Sequence, residues 1–179
     1  RDSSGALKLN SVTTATTTKQ PDGSSLTTSI EEVRDVNGNL QPRQRTQATT
    51  VMLSPTATRI TTQIRQFDHL EARFAETSRE TATVNKSDGA TRTERVIQQP
   101  GGAGWHDVGK VVTTETRQPN GTMIRETIEE GQSLYSMKTP SAMEPLVPQR
   151  KIVEHETVKP DGTTMLQRDV FRRDINGEW

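Results

Sequence analysis

Apolar residues are thinly spread along this chain of 179 residues, and where they recur they alternate with polar ones. The alternation is clearest over residues 58–65, where every second position, Ile60, Thr62 and Ile64, would share one face of a strand. A period of two places successive side chains on opposite faces and is typical of a β-strand. We therefore predict strands over residues 12–20, 26–34, 43–52, 58–65, 80–84, 91–98, 111–118, 152–159 and 166–174.

Turn signals separate the predicted strands, and three of them repeat almost letter for letter. Proline sets φ at the first corner, Asp or Asn bonds its own backbone, and glycine takes the position with φ > 0. Such a triplet between strand-forming residues predicts the tip of a β-hairpin. The three tips are Pro21-Asp22-Gly23, Pro119-Asn120-Gly121 and Pro160-Asp161-Gly162.

Sliding the sequence over itself indicates an internal repeat. A shift of 139 positions places Gly23 on Gly162 and, without a gap, Asn37-Gly38 on Asn176-Gly177. A shift of 98 positions places Gly23 on Gly121. A fourth, weaker copy has Asp88-Gly89 as its first turn and the glycine-rich residues 100–104 as its second. We predict one repeated hairpin unit whose two turns lie 15 positions apart.

Residues 34–40, with the sequence RDVNGNL, resemble the YD repeat of bacterial surface proteins. That repeat is a strand–turn–strand unit, and Arg34 stands where the family has tyrosine. The resemblance covers seven residues and implies a strand–turn–strand unit around Asn37-Gly38.

Two segments do not follow the alternating pattern. Residues 66–79 carry Phe67 and Phe74 at a spacing that fits a helical face as well as a strand, and both interpretations stay open. Residues 137–149 contain three prolines, which cannot donate to a β-ladder in the centre of a sheet. We predict a hairpin-repeat region over 1–136, an extended spacer over 137–149 and a last hairpin over 150–179.

The last hairpin differs from the first in the residues beyond its second turn. A further strand is predicted after Asn37-Gly38, whereas only Glu178 and Trp179 come after Asn176-Gly177. Strand 166–174 is therefore expected to lack a hairpin partner within this sequence. Either the sequence is a fragment, or a neighbouring subunit supplies the partner strand by β-strand addition.

Composition points to a chain with little material for a core. Threonine occurs 28 times, whereas Leu, Ile, Val and Phe together number only 33 of 179 residues. We therefore expect neighbouring copies to contribute to the order of the chain. The 23 basic and 23 acidic residues balance, which gives no electrostatic signature of a nucleic-acid partner. No apolar run approaches the roughly 20 residues of a membrane-spanning helix, so no membrane span is predicted.

Candidate catalytic chemistry is sparse. Cysteine is absent, which excludes thiol chemistry and cysteine-based metal sites. His69, His106 and His155 lie in no catalytic or zinc-binding motif. If Glu154-His155-Glu156 lies in a strand, the histidine points to one face and both glutamates point to the other. The glycine-rich residues 100–104 lack the spacing of a phosphate-binding loop. We predict no catalytic, metal or cofactor site, and we do not expect an enzyme.

The sequence thus predicts an all-β chain of repeated long antiparallel hairpins that form an extended threonine-rich sheet or sandwich. We expect a structural subunit of an extracellular or cell-surface filament, assembled with other copies of itself through β-strand contacts. The predicted subunit contacts are Trp105, Leu166, Val170, Phe171 and Trp179.

The alternative is an adhesin-like or carbohydrate-binding module, in which glycans are the partner and Trp105, Tyr135 or Trp179 stacks on sugar. For the two tryptophans, packing against their own hairpins is a third interpretation.

Overall fold

The computed structural model describes residues 10–102, 104–132, 145–174 and 178–179, and this part of the chain is all-β. The prediction of an all-β fold built from long antiparallel hairpins is confirmed. The strands of the described residues are β1 (Ser11–Lys19), β2 (Ser25–Arg34), β3 (Leu40–Ser54), β4 (Ala57–Asp68), β5 (Arg73–Ser87), β6 (Ala90–Gly101), β7 (Gly104–Arg117), β8 (Met123–Gly131), β9 (Val147–Val158) and β10 (Thr164–Arg172).

These strands form one sheet, and their order across the sheet is their order along the chain. Of the two predicted arrangements, sheet or sandwich, the described residues therefore adopt the sheet. Strand β1 pairs antiparallel with β2, and β2 pairs with β3. Strands β6 to β10 likewise pair in sequence, each antiparallel to the next. Such a meander needs only short connections, which agrees with the turn signals in the sequence.

The chain divides into two compact units. Of the described residues, 10–51 and 61–79 belong to the first unit, which holds β1, β2 and most of β3. The second unit comprises residues 52–60 and the described residues from 80 onward, and it holds β6 to β10.

The three Pro-Asp-Gly and Pro-Asn-Gly tips share one backbone geometry. At the first tip, the Gly23 N–H donates to the Gln20 carbonyl at 3.0 Å, and the Gln20 N–H donates to the Ser24 carbonyl at 2.8 Å. The tips at Gly121 and Gly162 make the same two bonds. The three glycines have φ of 83°, 84° and 82°, the left-handed region that a residue with a Cβ rarely adopts. This is a three-residue hairpin loop closed by a glycine bulge.

The structure reveals a fifth copy of the hairpin unit. Four copies are those expected from the sequence, β1–β2, β5–β6, β7–β8 and β9–β10. The fifth is β3–β4, whose tip is Pro55-Thr56. The Lys86 N–H donates to the Thr56 carbonyl at 2.8 Å, just as the Arg117 N–H donates to the Gly89 carbonyl at 2.9 Å. Thr56 therefore stands at the place that Gly89 takes in the next copy.

Residues 66–79, which the sequence left open between helix and strand, contain no helix. They form the end of β4, a turn over 69–72 and the start of β5. Phe67 and Phe74 contact each other edge to face across this turn, with ring centroids 5.2 Å apart. The spacing that suggested a shared helical face therefore reflects a contact across a turn.

A β-bulge recurs at the same place in three copies. The extra residue is Arg43 in β3, Val108 in β7 and Gln149 in β9. Pro42 and Pro148 lie next to two of these bulges, where a missing N–H is tolerated. Residues 147–149, which the sequence assigned to the spacer, therefore belong to β9, whereas residues 137–144 lie outside the described part. A bulge at a fixed place gives each copy the same local increase in twist.

Almost no side chain of the described residues is buried. Only Ile152 and Ser24 are buried, with 6% and 5% of their surface exposed. Side chains of the inner strands are mostly half-buried on both faces, whereas β1 and β10 are exposed along most of their length. Within each unit, no second layer of described residues covers the sheet. Ladder hydrogen bonds and cross-strand side-chain pairs therefore take the place of a core. None of the described segments forms a helix that is long and apolar enough to span a membrane.

Candidate functional site at the free edge of strand β10

Among the described residues, strand β10 has a neighbouring strand, β9, on only one side. Every second residue of β10 points its backbone N–H and C=O groups away from β9. The Lys159 N–H donates to the Thr163 carbonyl at 2.8 Å, and the Arg173 N–H donates to the Gln149 carbonyl at 3.1 Å. Bonded and non-bonded pairs alternate along an antiparallel ladder. The odd-numbered residues of β10 therefore bond to β9, and the even-numbered residues 164–172 direct their N–H and C=O groups outward.

Strand β1 follows the same rule with the opposite parity. The Gln20 N–H donates to the Ser24 carbonyl at 2.8 Å, and the Arg34 N–H donates to the Asn10 carbonyl at 2.9 Å. The even-numbered residues of β1 consequently bond to β2. The odd-numbered residues 11–19 point their backbone groups to the other side, where no described strand lies.

Apolar side chains lie along β10 on both of its faces. Leu166 and Val170 share one face and are 58% and 49% exposed. Met165 and Phe171 lie on the other face and are 50% and 40% exposed. The structure thus brings together three of the predicted contact residues, Leu166, Val170 and Phe171. Of these, Leu166 and Val170 also carry outward-pointing backbone groups.

The two tryptophans lie in different settings. Trp105 is half-buried at the start of β7, directly opposite Pro100 on β6. It belongs to an inner strand, so it is not part of the β10 edge. Trp179 is 50% exposed and follows Glu178, whose N–H donates to the Asp174 carboxylate at 2.9 Å. Tyr135, named for the carbohydrate-binding alternative, lies outside the described residues.

A row of alternating charges crosses four neighbouring strands and ends at β10. Arg125 on β8 donates to Glu115 on β7 at 2.7 Å and to Glu154 on β9 at 3.2 Å. Arg168 on β10 lies 3.4 Å from the other Glu154 oxygen. The hydrogen bonds that Arg125 donates to Glu115 and to Glu154 raise its pKa, and the bond to Glu115 is the larger cause. This row is not predictable from the sequence, because its members become neighbours only once the strand register is known.

The predicted turn residues lie at strand connections wherever the structure describes them. Asn37 and Gly38 form the turn between β2 and β3, and Asp88-Gly89 connects β5 to β6. Asn176 and Gly177 lie outside the described residues. The bond from the Asp174 N–H to the Glu178 carbonyl at 2.9 Å nevertheless matches the bond from Asp35 to Asn39 at 2.8 Å in the first copy.

Aspartates at the turns accept hydrogen bonds that favour their charged form. The Ser24 hydroxyl donates to the Asp22 carboxylate at 2.7 Å and the Ser24 N–H at 2.9 Å, and these bonds lower the pKa of Asp22. Thr163 bonds Asp161 in the same way and lowers its pKa. The N–H of Asn39 is the main cause of the lowered pKa of Asp35. These carboxylates stabilise the loop conformation of their own hairpins.

Groups for catalysis or metal binding do not converge in the described residues. No three His, Asp or Glu side chains there lie close enough to hold a metal ion. His155 and Glu154 are neighbours on β9, so their side chains lie on opposite faces. The His106 ring lies against Gly101, and its buried Nδ1 has no hydrogen-bond partner. A single unpaired imidazole nitrogen does not form a catalytic arrangement.

Comparison of the chain with protein-family models, with curated proteins and with solved structures gave no match.

Proposed function

We propose that this chain is a structural subunit of an extracellular or cell-surface filament, in which copies join through backbone hydrogen bonds between edge strands. The observation that carries the proposal is the edge of β10, where outward backbone groups alternate along a strand with exposed apolar side chains on both faces. Such an edge is a template for another strand. A sheet without a buried core also gains more from an added strand than a packed domain does, because each inner strand is half-buried by its neighbours.

The two edges of the sheet also support the proposal. Strands β1 and β10 are the two edges of the described sheet. If the β1 of a second copy pairs antiparallel with β10, the meander continues across the junction. Such a contact is heterologous, because it joins two different edges, and it builds a filament if successive copies do not close into a ring.

The balance of charge also supports association of like chains. The chain carries 23 basic and 23 acidic residues, so copies meet without net repulsion. Ion pairs such as Arg150 with Glu129 and Lys151 with Glu126 interleave the two signs across neighbouring strands.

Two proline variants of adjacent residues test the proposal. Leu166→Pro removes an outward N–H of β10, whereas Met165→Pro removes an N–H that bonds to β9. We expect the native chain to form larger species as its concentration rises in sedimentation velocity, and to form filaments in electron microscopy. Leu166→Pro should remain monomeric with its circular dichroism spectrum unchanged. Met165→Pro should lose strand signal from the last hairpin.

The result that would overturn the proposal is a native chain that stays monomeric at millimolar concentration. Filaments of unchanged length in Leu166→Pro would show that copies associate by another surface.

The carbohydrate-binding alternative receives less support from the structure. Trp105 is half-buried opposite Pro100, a position that favours packing within its own hairpin. Loss of glycan-array binding in Trp179→Ala, with assembly intact, would favour this alternative over the filament.

A further inference from the structure

We propose that β10 of one copy pairs with β1 of the next in a single register, the register that the chain already uses between β8 and β9. This inference depends on the proposed filament function and names the contact through which copies would join. The partner is thus a second copy of this chain, and the surface is the odd-numbered edge of its first strand.

The internal repeat supplies the register. A shift of 41 positions places Gly121 on Gly162 and so maps β8 onto β10, and the shift of 139 positions maps β1 onto β9. The pair Arg125 with Glu154 therefore corresponds to Leu166 with Ala15. Applying the same shifts along the ladder pairs Thr164 with Thr17, Met165 with Thr16, Gln167 with Thr14, Arg168 with Thr13, Asp169 with Val12 and Val170 with Ser11.

The same register holds at three junctions within the chain. The bulge follows Glu31 at the β2–β3 junction, Ile97 at β6–β7 and Glu129 at β8–β9, and these three positions are equivalent in the repeat. The equivalent position in β10 is Val170, and the bulged residue would be Asn10 of the neighbouring copy. Asn10 accepts a bond from Arg34, just as Gln149, the bulged residue of β9, accepts one from Arg173.

The backbone groups of the two edges agree with this register independently of the repeat. Even-numbered residues of β10 and odd-numbered residues of β1 point outward, as the bonds at their hairpin tips establish. In the inferred register, every paired even-numbered residue of β10 lies opposite an odd-numbered residue of β1, for example Leu166 opposite Ala15 and Arg168 opposite Thr13. A slip by one residue would pair outward groups with inward ones, so that no ladder could form.

The side chains are also compatible across the junction. Large residues of β10 meet small residues of β1, as in Leu166 opposite Ala15 and Met165 opposite Thr16. No like charges face each other, because the only charged residue of β1 is Lys19, which lies beyond the paired positions. A two-fold pairing of β10 with another β10, centred on Arg168, would instead place two arginines opposite each other.

Four double-cysteine variants test the register, and the chain has no cysteine of its own to interfere. Met165→Cys with Thr16→Cys and Gln167→Cys with Thr14→Cys are in register. Met165→Cys with Thr14→Cys and Gln167→Cys with Thr16→Cys use the same four positions but are two residues out of register. Paired residues bring their Cα atoms within the separation that a disulfide requires, whereas the diagonal pairs exceed it.

Under mild oxidation of the assembled protein, we expect the in-register variants to give a ladder of disulfide-linked multimers on a non-reducing gel. The out-of-register variants should give at least about tenfold less multimer, since their Cα separation is too large. Equal cross-linking in all four variants, or a disulfide within one chain that yields a faster-migrating monomer, would overturn the register.

The outcomes separate this inference from the proposed function. If the native chain forms filaments but the out-of-register variants cross-link, the proposed filament function is retained and the register is wrong. Linked dimers without longer multimers would indicate a closed contact and contradict both.

Discussion

The tips of the hairpins β1–β2 and β9–β10 have the same backbone geometry, but the two hairpins carry very different side chains. Both tips close through the same two backbone bonds, and Gly23 and Gly162 have φ of 83° and 82°. Five of the nine residues of strand β1 are threonine, and its cross-strand bonds include one between the hydroxyls of Thr17 and Thr27 at 2.9 Å. Where β9 has Glu154 with two arginine partners, β1 has Ala15.

This difference teaches which residues specify the hairpin. The turn glycines and turn aspartates recur in both hairpins, whereas the residues across the ladder differ. In a sheet without a buried core, side chains on the faces need not fit a partner layer, so the local backbone geometry is the main constraint. We therefore expect substitutions at the tips to affect both hairpins alike, and substitutions across the ladder to separate them.

The largest effect is expected from adding a Cβ at the tips. Gly23→Ala and Gly162→Ala should each lower the free energy of unfolding by about 1–2 kcal/mol, because an L-residue is strained in the left-handed region. Urea denaturation measures the loss. Gly102→Ala is the matched control, since Gly102 has no left-handed φ and open space where the Cβ would lie. A large loss at only one of the two tips would break the equivalence of the hairpins.

A smaller effect, which the first hairpin should not share, is expected from the charge row. Glu154→Gln removes the ionic contacts to Arg125 and Arg168 and should cost about 1 kcal/mol at low salt, because both pairs are partly exposed. The loss should shrink as salt rises. Glu156→Gln on the same face is the control, because Glu156 makes no ion pair with the described residues. A cost that does not change with salt would indicate lost packing instead of lost charge.

Acid should destabilise the β1–β2 and β9–β10 tips but should not affect the tip between β7 and β8. The folded state lowers the pKa of Asp22 and Asp161 below the ordinary value of 3.8. Their contribution to stability is therefore fully present above pH 4 and is lost as the pH falls through the lowered values. Asn120 takes the same place in the β7–β8 tip and does not titrate.

Amide NMR shifts check this pH dependence. Gly23 and Gly162 should move together below about pH 4, while Gly121 stays in place. A concerted shift of all three glycines would indicate global unfolding and not local titration.

The sequence predicted the hairpins through their turn chemistry, but it did not reveal the fifth copy. The β3–β4 tip, Pro55-Thr56, has no glycine, and Ala72 has a positive φ of 50° in the turn after β4. One signal was nevertheless present in the sequence. Gly23 and Gly89 lie 66 positions apart, and Asp35 and Asp68 lie 33 positions apart. The first separation is twice the second, so a unit of 33 residues fits twice between the two glycines. Both aspartates accept a bond from the N–H two residues later.

The charge row could not be predicted for a different reason. Glu115 and Arg125 face each other across a tight hairpin, but the pairing of Arg125 with Glu154 crosses a connection that includes undescribed residues and a bulge at Gln149. One extra residue in a strand inverts which side chains share a face. The free edge, in contrast, was expected from the sequence, and the structure adds which of its backbone groups point outward.

Hydrogen exchange of individual β10 amides tests the central claim most directly. The N–H groups of residues 164, 166, 168, 170 and 172 point outward, whereas those of 165, 167, 169 and 171 bond to β9. If copies join at this edge, exchange of the outward set should slow as the concentration rises from micromolar to millimolar, and the inward set should remain protected throughout. Outward amides that exchange at the same fast rate at every concentration would contradict the account.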